Sequence, residues 1–271
     1  MNKTTWLSFI ALLLLATQLV LSSCGQGPTD PSPDPSPELI TVQGRSVEAL
    51  VVGDGQYTIV FENGLDETLN KWVSFNIIEE ISRHNQVIAY NRPGYGLSQA
   101  STAPRSLEQI THELSELIAE VGNHEKVILV GYDWGGAIIR SFAVSYPEKT
   151  LALLLLEPDH EELNTILTIA QVDSVAQTMR FPGASDEIKQ HLQNMEYLRQ
   201  LPPLPQRPTT LLTSRYPVID YELRFEMHHQ LGTHLPAQTF KHETVIVGVS
   251  IPSESPTSVI QEIFTLMTKL R

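Results

Sequence analysis

From residue 39 onward, short continuous apolar runs alternate with longer stretches in which apolar residues recur every three or four positions. The runs at 57–62 (YTIVFE), 86–91 (QVIAYN), 126–131 (KVILVG), 151–157 (LALLLLE), 209–214 (TTLLTS) and 243–248 (ETVIVG) are rich in Val, Ile and Leu. Each ends in turn residues, as strands buried on both faces do. Two further runs near 39–52, LITV and VEALVV, predict an opening antiparallel pair. Between the runs, 106–122 predicts the clearest helix. Leu107, Ile110, Leu114, Leu117, Ile118 and Val121 fall on one stripe, Ser106 can cap its start and Gly122 can end it. A second helix is predicted over 136–147, stopped near Pro147, and a third over 255–270, with Pro256 in its first turn. Alternating β and α elements imply an α/β domain: a mostly parallel central sheet flanked by helices.

Two regions break the alternation. Residues 158–208 are polar and helix-prone and end in QLPPLPQRP. They read as a small helical insertion between two strands, a candidate lid, with ordinary connecting helices as the alternative. At the other end, Lys3 precedes a long uncharged apolar stretch, so 1–23 reads as an export signal. The stretch is also nearly long enough for a membrane anchor. LSSC at 21–24 resembles a bacterial lipobox and favours a lipoprotein signal peptide whose Cys24 is lipidated. Residues 25–38 alternate proline with Ser, Asp and Thr, which cannot pack a core and makes a stiff tether. The predicted organisation is therefore a signal at 1–23, the lipidated cysteine and tether at 24–38, and one α/β domain at 39–271. It implies an exported, membrane-anchored, extracytoplasmic protein.

Composition narrows the partners. The chain has 271 residues, 41% of them hydrophobic, enough for one large core. Its formal charge is −13 and no basic cluster stands out, which argues against nucleic acid. Cys24 is the one cysteine, so no disulfide forms within the chain. No metal or nucleotide motif is present and no cofactor is implied. The expected partners are a small-molecule substrate or ligand and, through the lipid, a membrane.

The chemistry centres on VGYDWGG at 130–136. An apolar strand, a Gly-x-Asp-x-Gly turn and a helix form a nucleophile elbow, with Gly131 and Gly135 allowing the sharp turn. Asp133 is pushed out at the carboxyl end of the sheet, where open α/β sheets bind ligands. With FENGLDETLNKW (61–72), AYNRPGYGLSQ (89–99), the segment 130–160 and GVSIPSESPTSVIQEI (248–263), the chain resembles the α/β-hydrolase superfamily over most of 40–271. An elbow Asp followed by Trp134 resembles haloalkane dehalogenases and epoxide hydrolases, in which the carboxylate attacks carbon and a histidine-activated water hydrolyses the ester. The resemblance implies Glu157, at the end of the next strand, as the acid that orients the base. It also implies the backbone N–H groups of Leu65 and Trp134 as oxyanion donors.

The chain departs from that pattern in the oxyanion segment, in the lid and in the last loop. The oxyanion segment reads Asn63-Gly64 where many relatives have His-Gly. Leu65 stands where many dehalogenases have a halide-binding Asn, leaving the Trp134 indole as side-chain donor. Tyr197 is the one tyrosine in 158–208, where epoxide hydrolases use lid tyrosines. Above all, Val249 occupies the catalytic histidine's place, and valine takes no proton. Of the nine histidines, His160 in the loop after Glu157 is the candidate replacement. His242 should lie roughly 20 Å away along an extended strand, and His228, His229 and His234 read as surface or packing residues. Two functions remain. One is a hydrolase acting on a small organic ester, epoxide or halide through Asp133, impaired in turnover. The other is a non-catalytic, surface-anchored binding protein that has lost its triad.

Overall fold

The apolar runs pair into one eight-stranded sheet in the computed structural model, which describes residues 36–162, 169–215, 221–248 and 250–271. The expected signal, Cys24 and nearly all of the tether lie outside these residues. Residues 37–271 form one compact unit. The strands are β1 (Glu38–Val42), β2 (Arg45–Val52), β3 (Thr58–Glu62), β4 (Gln86–Tyr90), β5 (Val127–Tyr132), β6 (Thr150–Leu156), β7 (Thr209–Ser214) and β8 (Phe240–Val245). Their order is β1-β2-β4-β3-β5-β6-β7-β8. The pairs β1–β2 and β2–β4 are antiparallel and every other pair is parallel. This is the expected mostly parallel α/β-hydrolase architecture. β1 takes in Glu38, the last residue assigned to the tether.

Helices cover both faces. The described ones are α1 (Asn70–Val73), α2 (Ile77–Ser82), α3 (Leu107–Val121), α4 (Trp134–Ser145), α5 (Ile169–Ala176), α6 (Pro182–Lys189), α7 (His191–Gln200), α8 (Tyr221–Gln230), α9 (Ile251–Glu254) and α10 (Pro256–Thr268). Side chains alternate across a strand, so β3 and β5 feed two cores. Val60 and Leu129 pack with α3 and α4 through Ile110, Leu114, Ile138 and Phe142. Ile59, Phe61 and Ile128 pack with α2 and α10 through Ile77, Ile81, Val259 and Ile263. The Ser106 side chain accepts from Gln109 N at 3.2 Å and caps α3.

One strand is displaced from its expected place. The apolar run at 243–248 suggested a strand there, but β8 spans 240–245, paired with β7 from Thr209↔Phe240 to Ser214↔Val245. β8 is the edge of the sheet, so its residues are only partly covered and need no continuous apolar run. Ile246 lies beyond the ladder and is 84% exposed.

The topology fixes where a ligand sits. β3 lies between β4 and β5, so the chain leaves it toward one side and later returns on the other. The crevice at the carboxyl ends of such strands is the ligand position of open α/β sheets. Residues 63–66 leave β3 there, Asp133 leaves β5 and Glu157 leaves β6. The insertion between β6 and β7 contributes α5, α6 and α7.

Candidate functional site

Asp133 sits between β5 and α4 with φ 54° and ψ −122°, a strained backbone for a residue with a Cβ. Glycine is required on either side. A Cβ on Gly131 would stand 2.5 Å from the Gly135 carbonyl oxygen, and one on Gly135 would stand 2.4 Å from that of Glu62. Three backbone bonds lock the turn. Asp133 N donates to Leu156 O, and Asp133 O accepts from Gly136 N and Asp159 N, at 2.9–3.0 Å.

The Asp133 side chain is buried against two amides. Leu65 N donates to Oδ2 at 3.1 Å, and the Trp134 backbone N–H faces the carboxylate from the first turn of α4. Burial pushes the Asp133 carboxyl above the usual range, while these two amides, Arg92 and Lys71 pull the other way. A cavity of about 220 Å³ opens here. Leu65, Asp133 and Trp134 line it from the sheet, and Glu187, Ile188 and His191 from α6 and α7. It is smaller than the several hundred Å³ typical of drug-sized ligands. The Trp134 indole N–H is buried without a hydrogen-bond partner among the described residues.

Glu157 leaves β6 with φ 48°, its side chain 10% exposed. Its Oε1 accepts from Ser214 Oγ, its Oε2 accepts from Ile251 N at 3.3 Å, and Arg224 Nη1 lies 4.0 Å away. Burial pushes its carboxyl up; these partners oppose the rise and the charge of Asp133 adds to it. The two carboxyl groups therefore share one field at the sheet edge.

Two expected site residues are committed elsewhere. Asn63 is on the oxyanion loop, but its side chain is buried away from the cavity. Its Nδ2 donates to Tyr90 O at 2.6 Å, and its Oδ1 accepts from Trp72 Nε1 at 2.8 Å. His160 is 5% exposed and its Nδ1 accepts from Glu162 N at 3.1 Å. Among the described residues no hydrogen bond joins it to Asp133 or Glu157. Tyr197 packs against the α3–α4 core rather than lining the cavity. Val249 lies outside the described residues.

Other groups at the site had little sequence signal. His191 opens α7 and reaches the cavity only because the insertion folds back over the sheet edge. Glu67, two residues beyond Leu65, pairs with Lys71 Nζ at 2.7 Å, an i,i+4 spacing that the sequence does show. Arg92 is fully buried and uses all its guanidinium nitrogens. Nε and Nη2 bond Glu187 at 2.9 and 3.0 Å, Nη1 bonds Glu62 and Asn63 O at 2.7 Å, and Nη2 also bonds Gly64 O and Tyr95 Oη at 3.0 Å. A buried charge is tolerable only when satisfied in this way. The bonds tie the carbonyls just before Leu65 to α6, fixing the loop that presents the amide.

His228 was expected at the surface or in packing. It is 1% exposed, Nε2 bonds Pro158 O at 2.9 Å, and Nδ1 bonds Thr213 Oγ at 2.8 Å. A carbonyl only accepts, so Nε2 carries the proton. Burial holds this imidazole down to about 3, opposed by the Pro158 bond, and His242 is likewise held at about 4. Both folded values lie below the unfolded one of about 6.5. The stability they confer is complete above that pH and is lost as pH falls toward the folded values. Urea unfolding should show His228→Gln losing less stability than the wild type between pH 7.5 and 4.5; equal losses would contradict this assignment.

Comparison with known proteins agrees with this geometry. A family model described as alpha/beta hydrolase fold matches residues 57–239. A Bacillus subtilis (strain 168) protein described as uncharacterized is 20% identical over 235 residues, covering 83% of this chain and 68% of its own length. Mouse epoxide hydrolase 4 is 30% identical over 97 residues, covering 35% of this chain and 27% of its own. The chain thus spans about a quarter of that relative. A solved Vigna radiata epoxide hydrolase variant superposes with a TM-score of 0.68 at 14% identity, covering 88% of this chain and all of that one.

Proposed function

The chain belongs to the α/β-hydrolase-fold family, and from that premise we propose a hydrolase-type enzyme in which Asp133 attacks a saturated carbon of a small epoxide or alkyl halide. The observation that carries this reading is the Leu65 N–H bond to Asp133 Oδ2 at 3.1 Å, with Trp134 N–H on the same carboxylate. Oδ2 is thereby held by the Leu65 amide while Oδ1 attacks. The same amide holds the charge that reaches Oδ2 when the ester is later hydrolysed. The product of attack is an alkyl ester on Asp133. A halide leaves as the anion, and an epoxide oxygen leaves carbon as an alkoxide and needs a proton. The buried Trp134 indole N–H supports either leaving group. A carboxylic ester fits less well, because attack by a carboxylate must climb to an anhydride. The helices of the insertion act as the lid over a cavity that suits only small substrates. The lipobox-like segment at 21–24 supports anchoring at a membrane surface.

One observation favours a non-catalytic binding protein instead: the sequence has Val249 where relatives carry the histidine. Intact-mass measurement separates the two. Incubation with a series of small haloalkanes and epoxides should add one alkyl group, or one whole epoxide, to the peptide that contains Asp133. No adduct and no product with any electrophile would leave the binding protein as the reading.

A further inference from the structure

The lost histidine leaves the alkyl-Asp133 ester without its usual base, and a carboxylate beside it is placed for the task. A Cβ built on Gly64 would stand 3.0 Å from Asp133 Oδ2, 3.0 Å from Glu67 Oε2 and 3.2 Å from Asp133 Cβ. Each 3.0 Å from that point, the two oxygens are at most about 6 Å apart beside Gly64, a gap that one water can bridge. Asp133 Cγ carries Oδ2, so a water in that gap lies beside the carbon it must attack. Glu67 Oε2 is buried and has no hydrogen-bond partner among the described residues, whereas Oε1 is held by Lys71 Nζ at 2.7 Å. Lys71 therefore fixes the carboxylate and leaves one oxygen for another partner.

We propose that Glu67 is the general base for hydrolysis of the Asp133 ester, taking a proton from a water bound beside Gly64 between Glu67 Oε2 and Asp133. This rests on the reading of Asp133 as nucleophile. The water oxygen bonds to Cγ while its proton passes to Glu67 Oε2. The Cγ–Oδ2 π electrons move onto Oδ2, facing the Leu65 amide. The Cγ–Oδ1 bond then breaks as the π bond re-forms, and Glu67 returns the proton to the departing alkoxide. Oδ1 leaves in the alcohol, and one oxygen of the water stays in Asp133. Burial holds the Glu67 carboxyl above its ordinary range despite Lys71, and the nearby Asp133 charge adds to this. A base of raised affinity for protons suits the step.

The test follows the Asp133 adduct of the full-length protein by intact mass, using 1-bromobutane and 1,2-epoxybutane as probes. Glu67→Gln should still form the adduct but release it about 10²-fold more slowly, the lower end of what a general base contributes. Its release should also lose the rise with pH that the wild type shows. Gly64→Ala puts a methyl group 3.0 Å from both oxygens, crowding the gap between them, and should trap the adduct in the same way with Glu67 intact. After turnover in H₂¹⁸O, the wild-type Asp133 peptide should gain one ¹⁸O. Adducts that form in all three proteins and decay at one rate overturn the base role and leave the nucleophile standing. A wild-type adduct that never decays also overturns it. No adduct in any protein overturns the nucleophile, and the base with it. Should Gly64→Ala not fold, the rate and pH profile of Glu67→Gln decide.

Discussion

Asp133→Asn should end covalent labelling and at the same time make the protein more stable at neutral pH. The amide has no negative charge with which to attack carbon, so adduct formation should fall at least about 10⁴-fold, as when a covalent nucleophile is removed from other enzymes. The stability gain follows from the raised carboxyl of Asp133. Between the unfolded value near 3.9 and the higher folded one, the native state binds more protons than the unfolded state. Stability therefore falls as pH rises through that window. The buried carboxylate ionises at a cost that grows as pH rises through that window, and Asn removes the cost while its side-chain oxygen still faces the Leu65 amide. The variant's thermal midpoint should exceed that of the wild type at pH 7, and the gap should close toward pH 3.5. A variant that still labels would place the reactive carboxylate elsewhere. One that is less stable at pH 7 would mean that the bonds to Leu65 and Trp134 outweigh the burial.

The sheet and the elbow were legible in the sequence because each rests on short-range chemistry. Runs such as 126–131 are apolar throughout because helices cover both faces of β5, and Gly131 is required by a backbone contact four residues on, with Gly135, although Gly135 itself is crowded by Glu62 from the neighbouring strand. β8 was misplaced because an edge strand has no such run, and its limits are set by pairing with β7. Leu65 could be placed on the oxyanion loop from its motif, since its role needs only an amide. The side chains of Asn63 and His160 could not be aimed from sequence. Asn63 turns toward Trp72, 9 residues on, and Tyr90, 27 residues on. His160 turns to its own loop. Glu187 and His191 reach the cavity from an insertion whose polar pattern shows helices but not where they dock. The buried pairing of Arg92 with Glu187, 95 residues apart, leaves no local trace at all.

Val249→His should convert slow release into turnover, and its size measures how far Glu67 falls short of a histidine. Glu157 is the partner such a residue needs. It is largely buried, its Oε1 is held by Ser214 Oγ, and its Oε2 accepts from Ile251 N, which draws the backbone two residues after 249 to this carboxylate. An imidazole oriented by Glu157 would titrate near its ordinary value of about 6.5 or above, so it is largely a free base at pH 8. Adduct decay should accelerate about 10³-fold at that pH, within the range for a positioned general base, and should fall as pH drops through the imidazole titration. Adduct formation should change little, because the base acts after the carbon–oxygen bond is made. Adding Glu67→Gln separates the two bases. In the Val249 background it should slow decay strongly, whereas beside a histidine at 249 it should matter little, a non-additivity expected of groups that perform the same step. If Val249→His leaves decay unchanged while Glu67→Gln still slows it, Glu157 does not orient a base at that position. The Asp133 ester would then be hydrolysed through Glu67 alone.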